Sequence, residues 1–115
     1  MNLSLHHHPS FSVIAVEGDL LSAAVENMLD LFSMVPVDQS LIVDLSGVGV
    51  IESAACTAVD GELRTRMEVA ALSVVVDSDD VSMTLVLHDV DRVAPLVRRL
   101  EDAIALVTGV LAGRH

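Results

Sequence analysis

The residues best suited to chemistry gather at one junction. Gly47-Val48-Gly49-Val50-Ile51-Glu52 follows an aliphatic run and opens a helical pattern, where a glycine-rich loop would cradle a dinucleotide pyrophosphate. Glu52 stands where the third glycine would be, and its carboxylate repels a pyrophosphate, so the loop reads as a turn. Ser53 follows it. No Gly-x-Ser-x-Gly elbow surrounds this serine and no base neighbours it, so it reads as a helix N-cap rather than a nucleophile. Cys56 is the only cysteine and falls on the apolar stripe of the helix that follows, the position of a buried thiol. A helix N-terminus favours the thiolate, but Glu52 opposes it. His6 and His8 would share one face of a strand, as two metal ligands would, yet no carboxylate accompanies them. With His7 they read as solvated surface, and no metal site is expected. His88 and His115 show no partner. Asp19, Asp44 and Glu52 are not paired by spacing into an acid and a base. No catalytic residue, cofactor or enzymatic activity is expected.

Composition narrows the classes further. The chain of 115 residues has no lysine, so a phosphate-binding P-loop lysine and a Schiff-base lysine are both excluded. Tryptophan and tyrosine are absent, which leaves only Phe11 and Phe32 to stack on a base. A formal net charge of −11 repels phosphate backbones and favours a partner with a basic face, so no nucleic-acid binding is expected. No signal-peptide pattern or membrane-length apolar run is present, so the expectation is a cytoplasmic protein with no direct membrane insertion. Basic residues that are all arginine, with abundant Ala, Val, Asp and Gly, suggest a GC-rich bacterial genome.

Hydrophobic residues make up 52% of the chain and aromatics 2%, the aliphatic composition of a sheet covered by helices. Residues 2–6 alternate as a short edge strand. Phe11 to Glu17 is a strand closed by Gly18-Asp19. Ser22 reads as the N-cap of a first helix with Val25, Met28, Leu29 and Phe32 on one face, stopped by Pro36. Leu41 to Leu45 is apolar on both faces and belongs in the sheet centre. Ser53 opens a second helix with the stripe Cys56, Val59, Leu63, Met67 and Ala70, while Asp60, Glu62, Arg64, Arg66 and Glu68 fall mostly off it. Leu72 to Val76 is another buried strand. Val81 to His88 alternates at period two, which argues strand, yet Ser78 or Asp79 would cap a helix there. Val93 to Val97 is a strand held to an edge by Pro95. Leu100, Ile104, Val107 and Leu111 mark a last helix.

At Asp44-Leu45-Ser46-Gly47-Val48-Gly49-Val50-Ile51-Glu52-Ser53 the chain resembles the STAS family, which includes the anti-sigma factor antagonists. That family reads Asp-Leu-Ser-x-Val-x-Phe-Ile-Asp-Ser-Ser-Gly-Leu after its central strand. Val16-Glu17-Gly18-Asp19-Leu20, Leu87-His88-Asp89-Val90-Asp91-Arg92-Val93 and Leu100-Glu101-Asp102-Ala103 resemble further family motifs in the same order. The resemblance implies one STAS domain over 1–115 with its core in 3–108. It implies the α/β class, with a mixed sheet of about five strands, a short antiparallel edge and about four helices. It also makes Asp80 to Asp89 a helix, against the period-two signal.

The function so implied is antagonism of an anti-sigma factor, a serine kinase-like ATPase, and thus control of sigma-factor-dependent transcription by partner switching. The implied partner-binding residues are Asp19, Gly49, Glu52, Ser53, Ala54 and Thr57. The family's phosphoacceptor is the second hydroxyl of Asp-Ser-Ser-Gly-Leu. Here that motif is Glu52-Ser53-Ala54-Ala55-Cys56, so the acceptor position is Ala54, which cannot be phosphorylated. Ser53 and Thr57 are the neighbouring substitutes. The alternative is an accessory STAS subunit of a transport system.

Overall fold

The structure, a computed structural model, describes residues 1–109. Its elements are β1 (Asn2–His7), β2 (Ser12–Glu17), a 3-10 turn (Ser22–Ala24) running into α1 (Val25–Ser33), β3 (Leu41–Gly47), α2 (Ser53–Arg66), β4 (Leu72–Val75), α3 (Asp79–Leu87), a 3-10 turn (Val90–Arg92), β5 (Leu96–Val97) and α4 (Leu100–Thr108). The sheet order is β1-β2-β3-β4-β5. The β1–β2 pair is antiparallel and the others are parallel. This is the expected mixed sheet with a short antiparallel edge and four helices.

Three successive crossovers advance the sheet in one direction, and their common hand places α1, α2 and α3 on one face. Ile14, Val16, Val43, Leu45 and Val74 meet Met28, Phe32, Val59, Leu63 and Leu85 there. α4 crosses to the other face, where Ala103 and Val107 pack on Val13, Ile42 and Val75. β3 lies between the two layers, which is why Leu41-Ile42-Val43 reads as an uninterrupted aliphatic run.

Several local expectations are corrected. Ser22 does not cap α1: the 3-10 turn begins at it, and its side chain has another partner, described below. Leu29 is exposed, because Met28 and Phe32 take the face toward the sheet. α2 ends at Arg66, so Met67 is exposed rather than on the buried stripe. Residues 79–87 are helical, as the resemblance implied, with the Ser78 hydroxyl accepting from the Val81 N–H at 3.4 Å. The strand expected from Val93 shrinks to Leu96–Val97, since the N–H groups of Val93 and Ala94 turn back to Val90 O and close the 3-10 turn. Leu111 and His115 lie outside the described residues.

Arg66, placed by periodicity off the stripe, is 5% exposed. Its guanidinium donates to the carbonyls of Phe32 at 2.7 Å, Val35 at 3.0 Å and Pro36 at 3.2 Å. It also lies 5.7 Å from the Phe32 ring centroid. The planar fork thus spans three carbonyls at and just beyond the end of α1 and joins that segment to α2. The Phe32 and Pro36 oxygens also accept the N–H groups of Val35 and Gln39, whereas Val35 O has its hydrogen bond from Arg66. Replacing Arg66 by Met should cost about 1–3 kcal/mol in urea denaturation, because it leaves the Val35 carbonyl unpaired and removes charged hydrogen bonds to Phe32 O and Pro36 O. Arg66→Lys should recover only part of that loss, since an ammonium cannot span the three oxygens.

Candidate docking site at the start of α2

The loops that leave β2 and β3 are joined to each other. The pairing of those strands continues past their ends: Gly18 N–H donates to Gly47 O at 3.0 Å, Leu20 N–H to Val50 O at 2.8 Å, and Glu52 N–H to Leu20 O at 2.9 Å. Leu20 and Ile51 form a parallel bridge, and both side chains are buried. Gly47 allows the two loops to approach closely, since a Cβ would lie 3.1 Å from Glu17 Cγ and 3.3 Å from Glu17 Cα, tight enough that Glu17 would have to shift by a few tenths of an ångström. Gly18 has a φ of 92°, in the left-handed region that glycine alone adopts without strain.

Glu52 closes this junction. Its Oε1 accepts the Ser22 N–H at 2.7 Å and the Ser22 hydroxyl at 2.8 Å. These two bonds hold its carboxyl below the ordinary value of 4.5. The carboxylate is therefore turned toward the β2 loop. The backbone of Glu52 is the extended residue before α2, and its side chain makes no capping bond to that helix.

Ser53 is accordingly the first helical residue and not the N-cap expected from sequence. Its hydroxyl lies 3.5 Å from His88 Nε2, at the end of α3. Sequence spacing could not have paired these residues, which are brought together only by the packing of α3 beside α2. Asp89 then reverses the chain with a φ of 60°. Ala54 and Thr57 are exposed on the first turns of α2, as is Ser53. Gly49 is exposed, and a Cβ built on it would sit 4.0 Å from Asp19 Oδ1, in ordinary contact.

The structure thus brings Asp19, Gly49, Glu52, Ser53, Ala54 and Thr57 to one end of the molecule. It adds Ser22 and His88, which sequence reasoning had not placed there. Exposed apolar side chains lie on the elements that carry them or pack beside them: Val50 on the loop, and Met83, Val86 and Leu87 on α3. The helix-side neighbour Cys56 is buried, and burial together with Asp60 pushes its thiol up to about 11. Asp44 is not part of the site. It lies on the opposite sheet face, beside Glu17, in an acidic cleft of about 400 Å³, and its carboxylate accepts the N–H and hydroxyl of Ser46. Among the described residues no group of acids, histidines and cysteine is arranged to hold a metal ion. No described helix is long and apolar enough to cross a membrane.

Among the described residues no carboxylate hydrogen-bonds the His88 ring that lies beside the Ser53 hydroxyl. What the arrangement offers is a firm surface, acidic at Asp19 and Glu52 and apolar at Val50 and Leu87, with hydroxyls at Ser53 and Thr57. No protein-family model and no curated protein matches the sequence. Solved structures do match the fold. An anti-sigma factor antagonist from Mycobacterium paratuberculosis is similar at 21% identity over 93% of both chains, with a TM-score of 0.79. A candidate anti-sigma factor antagonist from Thermotoga maritima is similar at 14% identity over 92% of this chain and 94% of that one, with a TM-score of 0.80. A protein with a SpoIIAA-like fold from Shewanella loihica is similar at 11% identity over 92% of both, with a TM-score of 0.59.

Two outcomes follow from the junction. The Glu52 carboxyl carbon should titrate below 4.5 by NMR. A depressed folded value means that its contribution is present above the ordinary carboxylate range and is lost as pH falls through the folded value. Glu52→Gln should therefore remove part of the acid dependence of melting and raise amide exchange at Ser22. Cys56 should resist a thiol reagent in the native state at pH 8 and react on unfolding in urea, as expected of a buried thiol raised to about 11.

Proposed function

We propose that this chain is a protein-binding regulator that antagonises an anti-sigma factor of the serine kinase-like ATPase type, through the surface at the start of α2. The observation that carries the reading is the shared fold with a mycobacterial anti-sigma factor antagonist along nearly the whole of both chains. Two features of the site support it. The two βα loops are fixed to each other before any partner arrives, so little ordering cost falls on binding. The surface is acidic, and no lysine or arginine precedes Arg64 in the sequence, which suits a partner with a basic face. The role is read as non-catalytic, and capture of the anti-sigma factor would free a sigma factor for transcription.

The phosphoacceptor position of the resembled family is Ala54, an exposed methyl group in the first turn of α2. A phosphate adds about −1.5 to −2 charges, and a helix N-terminus tolerates that anion, so modification there would spoil the contact without unfolding the chain. Without a hydroxyl at Ala54 the release step cannot occur at that residue. Ser53 and Thr57 are the exposed hydroxyls that remain. Ser53 is turned toward His88, and Thr57 is one turn further along α2.

The test is to titrate the chain with anti-sigma factors from the same cell, then add ATP and map modification by mass spectrometry. The wild type should bind persistently. Ala54→Asp should weaken binding by tenfold or more, about 1.4 kcal/mol, by bringing a charge into a contact that accommodates a methyl. Ala54→Ser should restore a substrate. Stoichiometric phosphate on Ser53 or Thr57 with release would show that the switch has moved to a neighbour. No binding to any anti-sigma factor would overturn the reading.

A further inference from the structure

We infer that the outer edge of β1 is a self-pairing surface, on which a second copy of this chain adds its own β1 antiparallel and joins the two sheets. The inference does not depend on the proposed partner or on the site at α2.

Hydrogen-bond direction defines what that edge offers. Ser12 N–H donates to Ser40 O, toward β3, so Val13, Ala15 and Glu17 turn their amides to β1. Their register partners His6, Ser4 and Asn2 turn inward to meet them. The His8 N–H bond to Phe11 O has the same parity. Leu3, Leu5 and His7 are left with N–H and C=O pointing outward, and among the described residues no strand pairs with them.

The two edges of the sheet are treated differently. β5 is two residues long, follows Pro95 and is followed at once by Arg98 and Arg99. Short length, proline and charge are the usual guards against edge pairing. β1 spans six residues with no proline, no charged residue and no break in its register with β2. Residues 1–16 form the longest stretch of the chain without Asp, Glu, Lys or Arg. In a chain of net charge −11, this flank is where another copy meets the least repulsion.

The strand is also complementary to itself. A two-fold axis through Leu5 sets Leu5 against Leu5 of the second copy and Leu3 against His7, so all three outward residues exchange hydrogen bonds. On the opposite face, Ser4 meets His6. Leu3 and Leu5 are part-buried against the main core, so the new contact continues an apolar layer already present. One strand pair buries less than the about 1,200–2,000 Å² of a stable interface. The dimer is therefore reversible and fills at high protein concentration.

Sedimentation velocity across the micromolar to high-micromolar range tests this. The wild type should shift from monomer to dimer. His7→Pro removes one outward N–H and no β1–β2 bond, and should remain monomeric. Since the His7 ring also bonds the Ser12 hydroxyl at 2.9 Å, His6→Glu serves as a second variant, adding a carboxylate beside the axis at an exposed position. Leu5→Cys reports the register: antiparallel pairs of this type hold their Cα atoms about 5.5 Å apart, within disulfide range. Oxidised glutathione should link it into a covalent dimer while buried Cys56 stays free, and an exposed control, Ser10→Cys, should link far less. A wild type that stays monomeric throughout overturns the inference. So does a dimer that survives both edge variants, or Leu5→Cys linking no better than the control.

Discussion

The molecule is organised by the pairing of β2 and β3 beyond the ends of their strands. Most parallel strands separate where their loops begin. Here Leu20 and Ile51 form one more bridge, with both side chains buried, and the Glu52 N–H returns to Leu20 O. Burial of two such residues contributes about 1.5–3 kcal/mol each, enough to hold two loops that would otherwise fray. The start of α2 then has no freedom to wander. Glu52 adds a polar tie to Ser22 across the top of the same junction. α2 descends from this fixed point across the sheet, and at its far end Arg66 takes up the carbonyls that finish α1. The two ends of one helix are thereby tied to the same neighbouring segment.

The layered sheet was legible in the sequence because its strands are buried in characteristic ways. β3 is apolar on both faces, and β2 carries Ile14 and Val16 toward one layer and Val13 toward the other. What was not legible depends on side chains whose partners lie far along the chain. Ser22 and Ser53 both have the composition of N-caps, yet one donates to Glu52 and the other faces His88. Arg66 looked like surface because a charge off an apolar stripe usually is, and only the carbonyls of α1 explain its burial. In α3 the misleading feature was hydrophobicity itself. Val81 and Leu85 are the buried pair, while Met83 and Leu87 at alternate positions are exposed, and together the four imitate the alternation of a strand. The family resemblance placed that helix correctly where periodicity alone would not. Sequence also grouped Asp19, Gly49, Glu52, Ser53, Ala54 and Thr57, and the fold does bring them to one end. His88 joins them only through tertiary packing.

The charges are distributed unevenly. Each arginine among the described residues has an acidic neighbour: Arg64 with Asp60, Arg66 with Glu62, Arg92 with Asp89, Arg98 with Asp79 and Arg99 with Glu101. Four of these pairs hold an exposed guanidinium and contribute little to stability. Their effect is to use up positive charge in the second half of the chain. No described cation is paired with Asp19 or Glu52, so the junction retains its negative field, with apolar Val50 and Leu87 exposed nearby. Local rules of sequence and structure are most often broken where a surface has another use, and an apolar helix face beside an uncompensated acidic loop breaks two of them.

The position at Ala54 can be weighed against this background. It lies in the first turn of a helix that no side chain caps, it is exposed, and no hydrogen bond or packing contact of the fold requires a hydroxyl there. Ala has the highest helix propensity, and Ala55, buried beside it, adds apolar contact where glycine would add none. The fold therefore does not depend on a hydroxyl at this residue and gains slightly from the two alanines. Folding does not decide between a hydroxyl and a methyl at position 54. Glu52 differs in this respect. It is equally exposed, but its two bonds to Ser22 make it part of the junction that positions everything else at this end of the molecule.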